Sequence, residues 1–201
     1  MKKTSKVDRE TRRDQIGRAA LKIVGVSGVK GLTTAAIAKE VGISEAALYR
    51  HFKNKDDILL ETLDKIGDGL KEKIEEVMKS DIPCFEKIKA NFLLNLEHIE
   101  NNVGIPRLVF SDQIHINNEL LREKLLDNIN GHSKRLETMI ATCQSKGNIR
   151  PDIEPKAAAI MLLGMIQTLA MRWSLNNFSF SLAEAGNHLW NNYEKCLRPL
   201  K

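Results

Sequence analysis

The stretch Gly31-Leu32-Thr33-Thr34-Ala35-Ala36-Ile37-Ala38-Lys39-Glu40-Val41-Gly42-Ile43-Ser44-Glu45-Ala46-Ala47-Leu48-Tyr49-Arg50-His51-Phe52-Lys53-Asn54-Lys55 decides the fold. Thr33 is an N-cap residue flanked by Leu32 and Ile37, the two halves of a hydrophobic staple, so a helix is predicted from Thr33 to about Gly42. The device repeats at once. Ser44 is a second N-cap, Ile43 and Leu48 are its staple, and a short helix reaches about His51. Two short helices meeting across Val41-Gly42-Ile43 have the spacing of a helix-turn-helix, whose second helix lies in the major groove of DNA. At about 100° per residue, Leu48 and Phe52 face inward to Ile37, Val41 and Ile43. Ala46 and Arg50 then lie opposite, with Ala47 and Tyr49 flanking them.

Those outward residues have the right chemistry for a duplex. Arg50 can fork onto a guanine edge or clamp a phosphate, Tyr49 can donate its hydroxyl to a phosphate, and Ala46 and Ala47 permit close approach or contact with thymine methyls. Ser44 with the amides of its helix start can hold a phosphate, as can Thr33 and Thr34 one helix earlier. Lys55 opens the next helix, where a cation opposes the helix dipole unless a phosphate sits beside it. The charge distribution agrees. The whole chain of 201 residues carries only +5, but residues 1–55 hold 13 Lys/Arg against 5 Asp/Glu, and residues 56–201 hold 18 against 21. A basic head precedes a slightly acidic body.

Outward from the motif the periodicity is helical throughout, and the expected class is all-α. A first helix is predicted over about Asp8–Ser27, stopped by Gly28, and a long helix opens at Asn54 with Asp57 three residues on. Pro83 is placed in the first turn of a helix with Phe85, Ile88, Phe92, Leu96 and Ile99 on one stripe. Gly104 and Pro106 punctuate, a short apolar segment spans Leu108–Ile116, and a long amphipathic helix covers about Asn118–Lys146. Two helices close the chain, Lys156–Leu175 and Leu182–Leu197. The expected organisation is a helix-turn-helix domain over 1–55, a linking helix over 56–79, and a helical ligand-binding and dimerisation domain over 80–201.

Cys84, Cys143 and Cys196 are odd in number and far apart, which indicates neither a disulfide framework nor a zinc ribbon and fits a reducing cytosol. The N-terminus has basic residues without a following apolar run, so no signal peptide is expected. The most apolar stretch, Ala157–Met171, is 15 residues and short for a membrane span of about 20. The expectation is a soluble, cytoplasmic protein with no membrane partner. Enzyme signatures are missing: no Walker-type loop, nucleophile elbow or dinucleotide fingerprint occurs, and the five histidines form no i, i+4 metal pair. No catalytic residue, metal or cofactor is assigned.

The run Thr33-Thr34, Ile37-Ala38, Val41-Gly42-Ile43-Ser44, Leu48-Tyr49-Arg50-His51-Phe52 and Lys55 resembles the N-terminal DNA-binding domain of the TetR family of bacterial transcriptional regulators, over about residues 9–65. The resemblance implies an all-helical homodimer on a palindromic operator, usually a repressor released by a small ligand. It also implies DNA contacts from Thr34, Ser44, Ala46, Ala47, Tyr49, His51 and Lys55. Glu45-Ala46-Ala47 departs from the commonest pattern, in which a basic or small residue, Gly, and Ser or Thr stand there; Glu45 can accept a hydrogen bond from a cytosine amine. Glu45 through Phe52 is similar to the reading helix of the nucleoid-occlusion branch of that family, which opens a second role, DNA binding coupled to a cell-division protein.

Such a regulator needs a pocket and a dimer surface. Ala157–Met171 is apolar almost all round, and Leu182, Gly186, Leu189, Trp190, Tyr193 and Leu197 form a stripe. With the resemblance, these two helices (156–175 and 182–197) are expected to pair with their copies. Phe85, Phe92, Leu96, Phe110, Met139, Met161, Met165 and Trp173 are candidates to line a pocket, with Arg107, Gln113, His115, His132 and Gln167 as polar anchors. That lining implies a fairly apolar effector.

Overall fold

The computed structural model describes residues 8–116 and 118–199, so the basic N-terminal residues Lys2, Lys3 and Lys6 lie outside the described residues. All regular structure among the described residues is helical. Asp8 caps α1 (Arg9–Ser27), its carboxylate accepting from the Glu10 amide, and Gly28 ends the helix at φ +67°. After a single 3-10 turn at Val29–Gly31 come α2 (Thr34–Val41) and α3 (Glu45–Leu48). Next is α4 (Lys55–Lys79), whose start is tied by the Asp57 amide donating to Asn54 Oδ1 at 2.9 Å while the Asp57 carboxylate accepts from the Lys53 amide at 3.0 Å. The remaining helices are α5 (Cys84–Glu100), α6 (Gly104–Val109), α7 (Asp112–His115), α8 (Glu119–Ser145), α9 (Pro155–Leu175) and α10 (Leu182–Leu197).

The chain divides into two compact units. One takes the chain up to Ile66 together with Asn102–Lys124; the other takes Gly67–Asn101 with the chain from Leu125 onward. In the first, Ile16, Ala20 and Val24 of α1 share a buried core with Leu32, Ile37, Leu48, Phe52, Ile58 and Leu63. This unit also holds α6, which packs along α1. Gly104 and Pro106, expected to interrupt the chain, instead lie inside α6. Gly104 rests on the Leu21 carbonyl, where a Cβ would collide with backbone. Pro106 is third in its helix, a position whose missing N–H has no intrahelical acceptor anyway.

In the second unit α10 packs on α5 and α9. Leu182, Gly186, Trp190, Tyr193 and Leu197 are buried, the Tyr193 hydroxyl donates to the Ala158 carbonyl at 2.7 Å, and the Phe92 and Trp190 rings lie 6.3 Å apart. The α10 stripe expected to meet a second copy is therefore part of this chain's own core, with Leu189 alone half-exposed. Periodicity marks a buried face without saying what buries it. Pro83 takes the N-cap position of α5 rather than its first turn. α9 is longer than its apolar stretch: at 21 residues it is long and apolar enough to cross a membrane by length and composition, contrary to the sequence expectation. One face of it, Ala158, Ala159, Leu162, Ile166, Leu169, Ala170 and Trp173, is buried in protein.

The cysteines also correct the sequence reading. Cys84 and Cys143, 59 residues apart, are joined as a disulfide with their Cα atoms 5.6 Å apart, while Cys196 is free and exposed. Spacing along the chain carries no trace of this pair because it joins two separate helices, α5 and α8, across 59 residues.

His132 on α8 is buried, and burial first, with Arg135 second, pushes its imidazole down to about 4. In the unfolded chain the ring takes up a proton near pH 6.5, so as the pH falls from 6.5 toward 4 only the unfolded state gains it, and stability is lost over that window. This group alone accounts for about 2 kcal/mol between pH 7 and pH 5. His132→Leu is expected to flatten the pH dependence of urea unfolding in that window by this amount; an unchanged slope would show that the ring is not held neutral.

Candidate nucleic-acid interface

Local bonding builds the two short helices of the head. Thr33 Oγ1 accepts from the Ala36 amide at 3.1 Å, and Ser44 Oγ accepts from the Ala47 amide at 3.2 Å. Between them Gly42 adopts φ +74°, a left-handed conformation that L side chains rarely adopt. The Ile43 amide then donates to Ala38 O at 2.9 Å and the Gly42 amide to Lys39 O at 3.3 Å, the two bonds of a Schellman ending. α3 itself has four residues, followed by turns through Tyr49, Arg50 and His51.

Burial sorts this segment as the helical wheel does. Leu48 and Phe52 are inside. Thr33, Ser44, Glu45, Ala46, Tyr49 and Arg50 are exposed, and Thr34, Ala47, His51 and Lys55 are half-buried. Glu45 has a partner: its carboxylate accepts from the Thr34 hydroxyl at 2.7 Å, which binds the start of α3 to the start of α2. His51 has a ring Nδ1 that is buried without a hydrogen-bond partner, and its imidazole is held below its ordinary value by burial first and then by Arg9, Arg12, Arg13 and Arg50. A phosphate there would offset those four positive charges.

The cations of the head fall into two groups. Arg13 donates to the His51 carbonyl and to Glu61, and its guanidinium lies 4.1 Å from the centre of the Phe52 ring. Arg18 pairs with Asp14, Lys22 with Glu40, and Lys65 with Asp14 and Glu61. Among the described residues, the side chains of Arg9, Arg12, Lys30, Lys39, Arg50, Lys53 and Lys55 make no hydrogen bond or ion pair; of these, Arg50, Lys53 and Lys55 follow α3 directly. Unpaired cations beside a capped helix start can neutralise phosphates without first breaking a protein contact. The bracing role of Arg13 was missed by sequence reasoning, and its only sequence signal is a basic residue on the same helix as the core positions.

Two comparisons identify this arrangement. Residues 16–62 match the model of bacterial regulatory proteins of the tetR family, and residues 106–199 match the C-terminal region of MAATS-type transcriptional repressors. The chain belongs to the TetR family. It is therefore a DNA-binding transcriptional regulator with an N-terminal helix-turn-helix and a helical C-terminal domain, not an enzyme. The nucleoid occlusion factor SlmA of Vibrio vulnificus is 29% identical over 187 residues, covering 90% of this chain and 93% of that protein. Among solved structures, the fatty acid degradation regulator FadR of Bacillus halodurans aligns with a TM-score of 0.83 at 20% identity, covering 99% of this chain and all of the other. FadR of Bacillus subtilis in complex with stearoyl-CoA aligns with 0.79 at 22%, covering 92% and 99%. At these identities the two structures share the fold.

The residues singled out for an effector pocket in this TetR-family chain are dispersed. Phe85, Phe92, Leu96, Met139 and Trp173 are buried, Met165 and Gln167 are half-buried, and Met161 is exposed. Met139 lines a cavity of about 340 Å³ with Cys84, Cys143, Lys87 and Lys146. Arg107, Phe110, Gln113 and His115 fall in the other compact unit. There Arg107 donates to the carbonyls of Gly25 and Val26 at the end of α1, and His115 Nε2 lies 2.7 Å from the Val109 carbonyl at the end of α6. Both side chains serve helix C-termini, where carbonyls lack intrahelical donors.

Arg50→Ala is expected to lower affinity for the specific site by tenfold or more and to relax base preference, an effect of about 1–3 kcal/mol for a lost bidentate contact. Lys55→Ala should instead weaken all duplexes alike and reduce the slope of log K against log salt by about one unit. Gel shifts at several salt concentrations separate the two; identical behaviour of both variants would remove α3 as the reading element.

Proposed function

We propose that this protein is a cytoplasmic homodimeric repressor that grips a palindromic operator with Thr33, Thr34, Ser44, Ala46, Ala47, Tyr49, Arg50, His51 and Lys55, and that a small, fairly apolar effector releases it. Residues 1–55 read DNA, the helix over 56–79 links, and 80–201 sense and dimerise. The observation that carries the DNA-reading assignment is the set of unpaired cations, Arg50, Lys53 and Lys55, that directly follows α3, whose own start is capped by Ser44.

The outward face of α9 supports the dimer. Ile160, Met161, Met171 and Leu175 are 54%, 57%, 49% and 73% exposed, and Gly164 and Thr168 continue the same face. A Cβ on Gly164 would meet nothing within 4 Å. An apolar row of this kind at helical spacing fits a self-complementary interface in which small residues let two copies approach closely. An effector finds support in the body's interior. Asn91 Nδ2, His132 Nε2 and Trp173 Nε1 are buried polar atoms without a hydrogen-bond partner, which a ligand's polar groups can satisfy. The stearoyl-CoA held by a neighbour of the same fold supports an acyl-chain effector class.

A second reading, nucleoid occlusion through a cell-division partner, is favoured by one observation: the likeness to SlmA extends over 90% of the chain rather than over the reading helix alone. Genome-wide mapping of the bound protein separates the two. Occupancy of one or a few promoters, lost when long-chain acyl-CoA accumulates, is expected for the repressor; many dispersed chromosomal sites without promoter preference would overturn it and establish the second role.

A further inference from the structure

We propose that Cys84 and Cys143 are a reversible thiol–disulfide pair that responds to peroxides, with Cys84 the attacking sulfur and Cys143 the resolving one. The two cysteines lie on different helices of the same compact unit and are already in bonding geometry, 5.6 Å between Cα atoms. Both face a cavity of about 340 Å³ that is open to the surface, so an oxidant as small as hydrogen peroxide reaches them. A bond so placed in a DNA-binding regulator belongs to the class that forms and breaks with the redox state of the cell.

The surroundings differ between the two sulfurs. Cys84 is the first residue of α5, and Pro83 before it supplies no side-chain cap, so the thiol lies in the first turn of a 17-residue helix whose opening amides have no side-chain cap from Pro83. Two ammonium groups against one carboxylate line the same cavity: Lys146, Lys87, which also donates to the Met78 carbonyl at 2.9 Å, and Asp81. Helix amides and ammonium groups together stabilise a thiolate, the nucleophilic form. Cys143 is 2% exposed on the inner stripe of α8 and has neither a helix start nor a capping amide beside it.

In the forward direction the Cys84 thiolate attacks one peroxide oxygen, an S–O bond forms, the O–O bond breaks, and hydroxide leaves to take a proton as water. The Cys143 sulfur then attacks Cys84, the S–S bond forms, the S–O bond breaks, and the second hydroxide leaves as water with the Cys143 thiol proton. Two thiols are oxidised and one peroxide is reduced. Two equivalents of glutathione reverse the bond by exchange, becoming glutathione disulfide.

The test uses the full-length protein, with Cys196 as the internal reference. After reduction, intact mass with a thiol-alkylating reagent is expected to show three labels. After stoichiometric hydrogen peroxide it should show one label and a loss of about 2 Da, and glutathione should restore three. The oxidised form should melt on the order of 5–10 °C higher. With dimedone present, Cys143→Ser is expected to trap a sulfenic acid on Cys84, while Cys84→Ser traps none on Cys143. Three labels after peroxide, or a bond that glutathione leaves intact, overturns the switch; dimedone on Cys143 in Cys84→Ser reverses the assigned roles. The label counts need no variant, so a substitution that disturbs folding leaves the main result intact.

Discussion

A second helix of only four residues in the helix-turn-helix is the constraint around which the head is built. An isolated helix needs on the order of 12–15 residues before it is even marginal in water, so α3 has no stability of its own. It is held by what surrounds it. Ser44 caps its start, worth about 1 kcal/mol. The Schellman bonds at Gly42 fix the angle at which the chain enters, and Leu48 and Phe52 are sunk in the core, each burial worth roughly 2 kcal/mol. Arg13 then holds the far end by its bond to the His51 carbonyl and by lying on the Phe52 ring. With the helix pinned from beneath and at both ends, the exposed Ala46 on it and Tyr49 and Arg50 after it stay free of structural duty.

That division explains why the basic character of the head is not one property. Arg13, Arg18, Lys22 and Lys65 are engaged with Glu61, Asp14 and Glu40, and most of these pairs are partly exposed, so each adds at most about 1 kcal/mol. Their larger effect is to bind α1 to α2 and α4. Arg50, Lys53 and Lys55, like Arg9, Arg12, Lys30 and Lys39, have no such partner. Glu45 lowers the positive potential of the same surface, yet through Thr34 it also couples the starts of α2 and α3, so the departure from the common family pattern has a local structural role.

What could be read from residue order was whatever neighbouring residues enforce. The caps at Thr33, Ser44 and Asn54, the left-handed Gly42 and the inward turn of Leu48 and Phe52 are all settled within a few residues, and each is visible in the chain. The features that escaped are made between distant segments. Gly104 looks like a helix breaker, but its lack of a side chain is needed for contact with the Leu21 carbonyl, 83 residues earlier. Arg107 and His115 looked like anchors for a ligand, and they meet helix carbonyls instead. The bond between Cys84 and Cys143 joins residues 59 apart on α5 and α8, and an odd number of widely spaced cysteines gives no sign of it.

The body shows the same rule in a form that bears on its role. The stripe on α10 was read correctly as a buried face, but burial alone cannot distinguish a neighbour in the same chain from a second copy. Once Trp190, Tyr193 and Leu197 are accounted for by α5 and α9, the opposite side of α9 still carries an uncovered row of four large apolar side chains, Ile160, Met161, Met171 and Leu175. A helix with one face in the core and an apolar row outside is under-polar for a lone subunit, and that imbalance accounts for its membrane-like composition without a membrane. The self-association proposed for this protein therefore rests on the residues its own core leaves uncovered, a set that only the packed structure could separate from the rest.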